Sequence, residues 1–313
     1  NVGTTIRITP HINDAGEIVV TLQENNHIVI VSADGEIVSH FTAGSVDLER
    51  IDTRTDGKLE FAASKKETPR EPDAIKWIGA DRLIVANEGD YKGGSRGFTI
   101  FSRSGEVLFE SGASLEMAVA SIGHHPEKRS RSKGIEPEGL ETAVFGDATY
   151  FFVLAERASV AAVYRDTGGE PQLLQILPTG LSPEGAVAIP SRNLLAVAAE
   201  VDLVEDGGVR SHVTIYELAE GEMQSPTLVS TMDENSRPIG WGALSGLAAD
   251  PVRPGILYAV NDSFYFAQPR IFTIDATQKP ARILSALPVT RGGHPAQLMD
   301  MEGIATDGNG GFW

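Results

Sequence analysis

The chain contains no cysteine, which excludes disulfide staples and thiolate metal sites. Cationic side chains are scarce: 26 Lys and Arg stand against 43 Asp and Glu, a net charge of -17. That balance disfavours nucleic acid and anionic membrane as partners, because both require a basic footprint. No apolar run approaches the ~20 residues that a membrane helix needs, and no secretory signal pattern opens the chain. Membrane insertion is therefore not expected. Asn1 is not an initiator Met, so a processed form is expected. What is present is 313 residues of which 41% are apolar, enough to bury a large core in one or two domains.

An acidic motif recurs along the chain. Its fullest copy is Gly134-Ile135-Glu136-Pro137-Glu138-Gly139-Leu140-Glu141. Weaker copies read Glu71-Pro72-Asp73-Ala74-Ile75, Ser182-Pro183-Glu184-Gly185-Ala186 and Asp300-Met301-Glu302-Gly303-Ile304, with a degraded one at Leu244-Ser245-Gly246-Leu247. Some 15 to 18 residues after the motif acid, an apolar run ends in a second acid. The pairs are Asp73 with Glu88, Glu138 with Glu156 and Glu184 with Glu200, and Asp262 follows Ser245 at the same distance. Repeats of this kind decide architecture before any local feature does.

Between the motifs lie short β-branched runs separated by turn signals. Four strands fit into the first forty residues, at Ile6 to Ile8, Ile18 to Leu22, His27 to Val31 and Glu36 to Phe41, with no room for a crossover helix. A polar connection follows, with a possible strand at Lys58 to Ala62. The second unit uses Ala74 to Trp77, Leu83 to Asn87, Gly97 to Ser102 and Glu106 to Glu110; the third uses Leu140 to Val144, Tyr150 to Leu154, Val160 to Tyr164 and Gln172 to Leu177. The fourth is expected at Gly185 to Ile189, Leu194 to Ala198, His212 to Leu218 and Thr227 to Thr231, and the fifth at Leu247 to Ala249, Ile256 to Val260, Arg270 to Ile274 and Arg282 to Ala286. A sixth opens at Asp300 and stops at Trp313 inside its expected second strand, so the chain reads as truncated, with seven units expected in the whole protein. Leu115, Ala118, Val119 and Ile122 are spaced as one short helix.

Units of this length with four antiparallel strands predict an all-β fold, a single β-propeller domain spanning 1–313. In a propeller blade the first strand lines the central channel and the second returns beside it. The motif acid at the start of strand one and the acid at the end of strand two should then meet on one face. Asp73, Glu88, Glu138, Glu156, Glu184 and Glu200 would converge at one channel mouth, with Asp262 and Glu302 extending the ring. Carboxylates so crowded raise one another's pKa and need cations. Oxygen ligands without cysteine favour Ca²⁺, with Mg²⁺ second. The competing reading is that each repeated acid accepts backbone amides from the neighbouring blade and binds no metal.

A small anionic substrate, such as a phosphate ester, would also require basic side chains. Candidates are Lys92 and Arg96 in the Gly-rich stretch Asp90 to Gly97, and Arg157 beside Glu156. The basic run from Lys128 to Lys133 reads either as an anion lid or as a mobile loop. His124, His125 and His294 read as surface residues rather than general acids. Gly93-Gly94-Ser95-Arg96-Gly97 matches a nucleophile elbow as a string, but Phe98 to Phe101 continues as a strand where the elbow needs a helix. Asp307-Gly308-Asn309-Gly310 reads as a hairpin turn, and the sequon Asn261-Asp262-Ser263 would be idle in a bacterial protein.

The segments Glu71-Pro72-Asp73, Ala86 to Tyr91, Ile135 to Leu140 and Leu181 to Gly185 resemble the choice-of-anchor I propeller proteins. Leu244 to Pro251 and Asp300 to Ala305 resemble the domain called esterase-like activity of phytase. Together the resemblances cover about residues 70 to 313. They imply an exported bacterial protein, periplasmic or extracellular, with a phosphoester hydrolase activity. Ser245 departs from the pattern, because the motif acid is missing there. Two function classes stay open on the sequence. One is a Ca²⁺-dependent phosphoric ester hydrolase, phytase-like or alkaline phosphatase-like; the other is a non-catalytic surface module whose acids serve blade-to-blade structure.

Overall fold

The structure is a computed structural model of the chain and describes residues 11–89, 94–296 and 299–313. It is a β-propeller arrangement of consecutive sheets whose strands are antiparallel and adjacent in sequence, apart from one parallel edge strand in the fifth blade. The first blade comprises His11–Ile12, Ile18–Leu22, His27–Val31 and Ile37–Thr42. The expected strand at Ile6 to Ile8 lies outside the described residues. The second blade comprises Pro72–Ile78, Arg82–Asn87, Gly97–Ser102 and Val107–Glu110. The third comprises Pro137–Phe145, Ala148–Ala155, Val160–Arg165 and Gln172–Pro178.

Blades stack face to face, and the period of two along each strand decides which residue meets which neighbour. In Arg82–Asn87, Leu83 and Val85 pack with Val19, Ile28 and Ile30 of the first blade. The intervening Ile84 and Ala86 turn the other way, to Phe151, Val153 and Tyr164 of the third. In the third blade Phe152 and Leu154 alternate with them and meet Leu195 and Val197 of the fourth. This is why these second strands read as continuous apolar runs: both faces are buried.

The fourth blade departs from the expectation of four strands. It has three, Pro183–Ile189, Leu194–Ala199 and Val213–Glu217. The segment expected as its fourth, observed as Leu228–Ser230, pairs in parallel with Ala281–Pro288 at the edge of the fifth blade. Leu228 is drawn there because it packs against the cluster of Phe272, Ile274 and Ile283. The outward face of the fourth blade leaves Val187, Ile189, Val213 and Ile215 exposed. The fifth blade otherwise follows expectation, with Leu244–Ala249, Ile256–Asn261 and Arg270–Asp275 completing the sheet.

The connection between the first two blades forms its own hairpin, Ser45–Ile51 with Ala63–Pro69. Residues 58–62, expected as a strand, form no strand; Leu59 and Phe61 are buried beside Ala120 and Tyr265 instead. The helix forms at Ser114–Ser121, and the Trp241 indole N–H donates to the Ser121 carbonyl at 2.9 Å. Inserted hairpin, helix and fifth blade are thereby fastened together. The last residues form a bridge between Thr306 and Phe312 around a turn in which Asp307 Oδ1 accepts from Asn309 N and Gly311 N. Among the described residues no helix is long and apolar enough to cross a membrane.

Candidate metal centre

In the second to fifth blades the first strand is entered through a residue in the left-handed region: Glu71 (φ 44°), Glu136 (φ 49°), Ser182 (φ 54°) and Ala243 (φ 47°). A bulky residue held there costs roughly 1–3 kcal/mol and persists only where its surroundings enforce it. The residue two positions on, at Glu138, Glu184 and Ser245, is skipped in the pairing register, so it is a bulge residue whose side chain is re-aimed. The carbonyl of the left-handed residue then accepts the N–H of the strand-end acid. Glu156 donates to Glu136 O at 2.8 Å, Glu200 to Ser182 O at 3.0 Å and Asp262 to Ala243 O at 3.0 Å. One backbone bond thus brings the motif acid and the strand-end acid of a blade together.

Neighbouring blades approach closely enough to merge these pairs. Gly139 faces the Glu184 carbonyl and the Leu154 side chain across a gap that no Cβ could enter. Carboxylate oxygens of Glu138, Glu156 and Glu184 lie within 4.8 Å of one another, and so do those of Glu88, Glu136 and Glu138. Glu200 joins this arc through Glu184, whose pKa is raised by burial and then by Glu200 and Glu156. Burial, followed by the facing Glu156 and Glu88, pushes the Glu138 carboxyl up to about 9. Glu156 is itself buried, and its Oε2 meets no hydrogen-bond donor. An orphaned oxygen in a set of hard oxygen ligands fits a divalent cation, Ca²⁺ ahead of Mg²⁺.

The remaining expected ligands lie apart from these two groups among the described residues. The Asp73 carbonyl accepts from Thr21 Oγ1 at 2.7 Å, and Asp73 belongs to neither carboxylate group. Asp262 spends Oδ1 on the amide of Phe264 at 2.6 Å, capping the short turn after its strand. Glu302 is exposed. Where the motif acid is absent, Ser245 donates its hydroxyl to the Met301 carbonyl, which joins the fifth blade to the next motif without a charge.

Among the described residues three cations reach the arc. Arg157, expected as a substrate contact, lies with its Nη1 at 2.7 Å from Glu156 and its Nε donating to Glu136 at 3.0 Å. Arg129 Nε donates to Glu136 Oε1 at 2.5 Å, and Lys133 pairs with Glu88. The run from Lys128 to Lys133, read from sequence as a lid or a mobile loop, is a docked segment. Arg96 explains why. Expected at the rim as a substrate contact, Arg96 is instead fully buried, paired with Glu116 at 3.0 Å and donating to the carbonyls of Asp52, Ser130 and Ser132. It anchors the segment that presents Lys133. Lys92 lies outside the described residues.

One of the histidines is a structural neighbour of that anchor. His125, expected on the surface, is buried with Nε2 at 3.1 Å from Glu116. His124 Nδ1 lies 2.9 Å from the Ala158 carbonyl, and His294 is exposed on the hairpin Thr290–Arg291 with His294–Pro295. Ser95 is buried and leads into the strand Gly97–Ser102, where a nucleophile elbow would need a helix. Sequence reasoning missed Glu136, Arg129 and Gln23 as members of the site. Gln23 sits at the strand-end position of the first blade, and both it and Glu156 open a 3-10 turn closed by a left-handed residue, Asn26 or Ser159. Its amide donates to Glu88 Oε2 at 2.5 Å.

Among the described residues six carboxylates, those of Glu88, Glu136, Glu138, Glu156, Glu184 and Glu200, therefore face three cations, Arg129, Lys133 and Arg157. The surplus of negative charge requires bound cation or proton.

Comparison with known proteins supports the family reading in segments. Among solved structures, the WD40 repeats of RRP9 share 11% identity over 96% of this chain and 69% of that one, with a TM-score of 0.37. A putative 6-phosphogluconolactonase from Bacteroides uniformis shares 8% over 87% of this chain and 70% of that one, with a TM-score of 0.39. An inactive virginiamycin B lyase from Staphylococcus aureus shares 10% over 96% and 74%, with a TM-score of 0.34. No curated protein matches the chain. Two family models match: residues 239–313 that of esterase-like activity of phytase, and residues 91–169 that of the choice-of-anchor I domain, the same two families that the acidic motifs resemble.

Proposed function

We propose that the chain is a divalent-cation-dependent phosphoric ester hydrolase, with Ca²⁺ held by Glu138, Glu156 and Glu184 and flanked by Glu88 and Glu200. The observation that carries this reading is the convergence of Glu138, Glu156 and Glu184 from two blades, with Glu88 of a third beside Glu138 and with Glu156 Oε2 lacking a donor among the described residues. Bound Ca²⁺ would polarise a phosphoryl oxygen and lower the pKa of an attacking water. The chain supplies the rest. Arg157 and Arg129 each keep about two fifths of their side-chain surface in solvent, at 40% and 37%. Each can offer its remaining terminal nitrogen, Nη2 of Arg157 and Nη1 of Arg129, to a phosphate oxygen while its other nitrogens stay on Glu136 and Glu156. Glu136 thereby aims the two guanidinium groups, and Lys133 holds Glu88 towards Glu138. The match to esterase-like activity of phytase agrees with a phosphoester substrate, and the choice-of-anchor I match with a place outside the cell or on its surface.

Phosphate release from monoesters, diesters and phytate, with Ca²⁺ or with a chelator, tests the reading. Release that needs Ca²⁺ and is lost in Glu138→Gln, at an unreduced melting temperature, supports it. A second reading, a non-catalytic surface module, is favoured by the exposed apolar face at Val187, Ile189, Val213 and Ile215. That reading predicts no release from any substrate and a lower melting temperature for Glu138→Gln.

A further inference from the structure

Away from the acidic mouth, a cleft of about 870 Å³ opens between the fifth blade, the turn at residues 232–240 and the loop at residues 59–62. Its walls are mixed. Leu59, Phe61, Ile239 and Leu284 give an apolar side, and Arg270, Gln268 and Ser285 give polar groups. Arg270 opens the third strand of the fifth blade, where its backbone N–H donates to Asn261 Oδ1 at 2.9 Å. That bond fixes the base of the side chain, and the guanidinium spends Nη1 on the Gly240 carbonyl at 3.2 Å. No carboxylate pairs with it among the described residues. The other arginine of the cleft, Arg237, is by contrast committed to Asp233 at 3.1 Å.

A partly buried guanidinium without a counter-ion is an uncompensated charge, and burial indeed lowers the Arg270 pKa. Structures retain such a group where an anion completes it. Glu60 is the nearest internal competitor: it lines the same cleft, raises the Arg270 pKa, and is held outward at 3.9 Å from Lys58 with half its side chain in solvent. Glu60, Asp233 and Glu234 together make the rim acidic. A polyanion would be repelled there, whereas one negative charge can be matched by one free guanidinium.

We infer that this cleft is a binding site for a small organic carboxylate, its single charge on Arg270 and its apolar body against Leu59, Phe61 and Ile239. Gln268, which lines the cleft, accepts from Leu59 N through Oε1 at 2.9 Å, a bond that does not use its amide N–H groups. The site is separate from the acidic mouth and stands or falls independently of hydrolysis.

Calorimetric titration with benzoate as the probe, and phenyl phosphate beside it, tests the inference on wild type, Arg270→Gln and Glu60→Gln. A ligand of this size should bind with Kd on the order of 1 mM. Benzoate should bind more tightly than dianionic phenyl phosphate, roughly tenfold or more weakly to Arg270→Gln, and more tightly to Glu60→Gln. Melting curves show whether Arg270→Gln is folded. If it is not, the exposed Glu60→Gln decides alone, since removing the competing acid must tighten benzoate. No benzoate binding to wild type, equal binding by folded Arg270→Gln, or unchanged binding by Glu60→Gln would each overturn the inference.

Discussion

Replacing Glu138 with Gln should stabilise the metal-free protein at high pH, the opposite of what loss of a structural acid would do. Glu138 has its pKa raised above its ordinary value, to about 9. The folded state therefore holds a proton that the unfolded state has released. The stability conferred by that proton is fully present below pH ~4.5, falls through the window between, and is gone once pH exceeds ~9. Above that window Glu138 and Glu156 are both ionised within 4.8 Å. At an effective dielectric of about 20, that contact costs about 3 kcal/mol. Glutamine keeps the shape, removes the charge and offers an amide donor to the orphaned Glu156 Oε2. With unfolding entropy of ~2.1 cal/mol/K per residue, about 3 kcal/mol corresponds to about 5 °C in a protein of this length. Melting curves without Ca²⁺ at pH 4 and pH 9.5 read the effect. The variant should match wild type within about 1 °C at pH 4 and exceed it by several degrees at pH 9.5. Calcium at 100 times the wild-type Kd should raise wild type by about 2.7 kcal/mol, or about 4 °C, and the variant by about 2 °C or less. A variant less stable than wild type at pH 9.5, or equally stabilised by Ca²⁺, would refute the reasoning.

Other perturbations separate the parts of the site. Arg157→Met takes one partner from the fully buried Glu136, and urea unfolding should show a loss of about 2 kcal/mol; an unchanged midpoint would mean that Arg129 and Lys133 suffice. Glu116→Gln leaves the Arg96 guanidinium buried without its carboxylate and should cost about 3 kcal/mol, with faster proteolysis at residues 128–133 because Arg96 no longer fixes that segment. Intact protection of the segment would contradict its anchoring by Arg96. Gly139→Ala drives a Cβ into the Glu184 carbonyl and should cost about 1–3 kcal/mol while weakening Ca²⁺ binding. Calorimetry showing full Ca²⁺ affinity would mean the blades can part without disturbing the ligands.

The parts of this fold that were legible in the sequence are those that repeat. Alternating burial on two faces makes Leu83 to Ala86 and Phe151 to Ala155 unmistakable strands, and the recurring acid marks where each blade begins. The pairing of Glu138 with Glu156 and of Glu184 with Glu200 followed from blade geometry alone. What was not legible depends on non-repeating contacts. Leu228 leaves the fourth blade for the fifth because of where Phe272 and Ile283 lie, which no local pattern encodes. Arg96 looks like a rim cation in its Gly-rich stretch, yet its partner Glu116 comes from the helix and buries it. Glu136 was hidden by its own position. A residue before proline ordinarily takes extended backbone, and its left-handed conformation turns it towards Arg129 and Arg157.

The most direct test of the metal centre is a calorimetric Ca²⁺ titration of the chelator-treated protein at pH 8, run on wild type and Glu138→Gln together. Saturable binding to wild type, abolished or weakened by roughly tenfold or more in the variant, is the expected result. No saturable binding to wild type, or equal binding by the variant, would show that the converging carboxylates are balanced by protons and arginines alone.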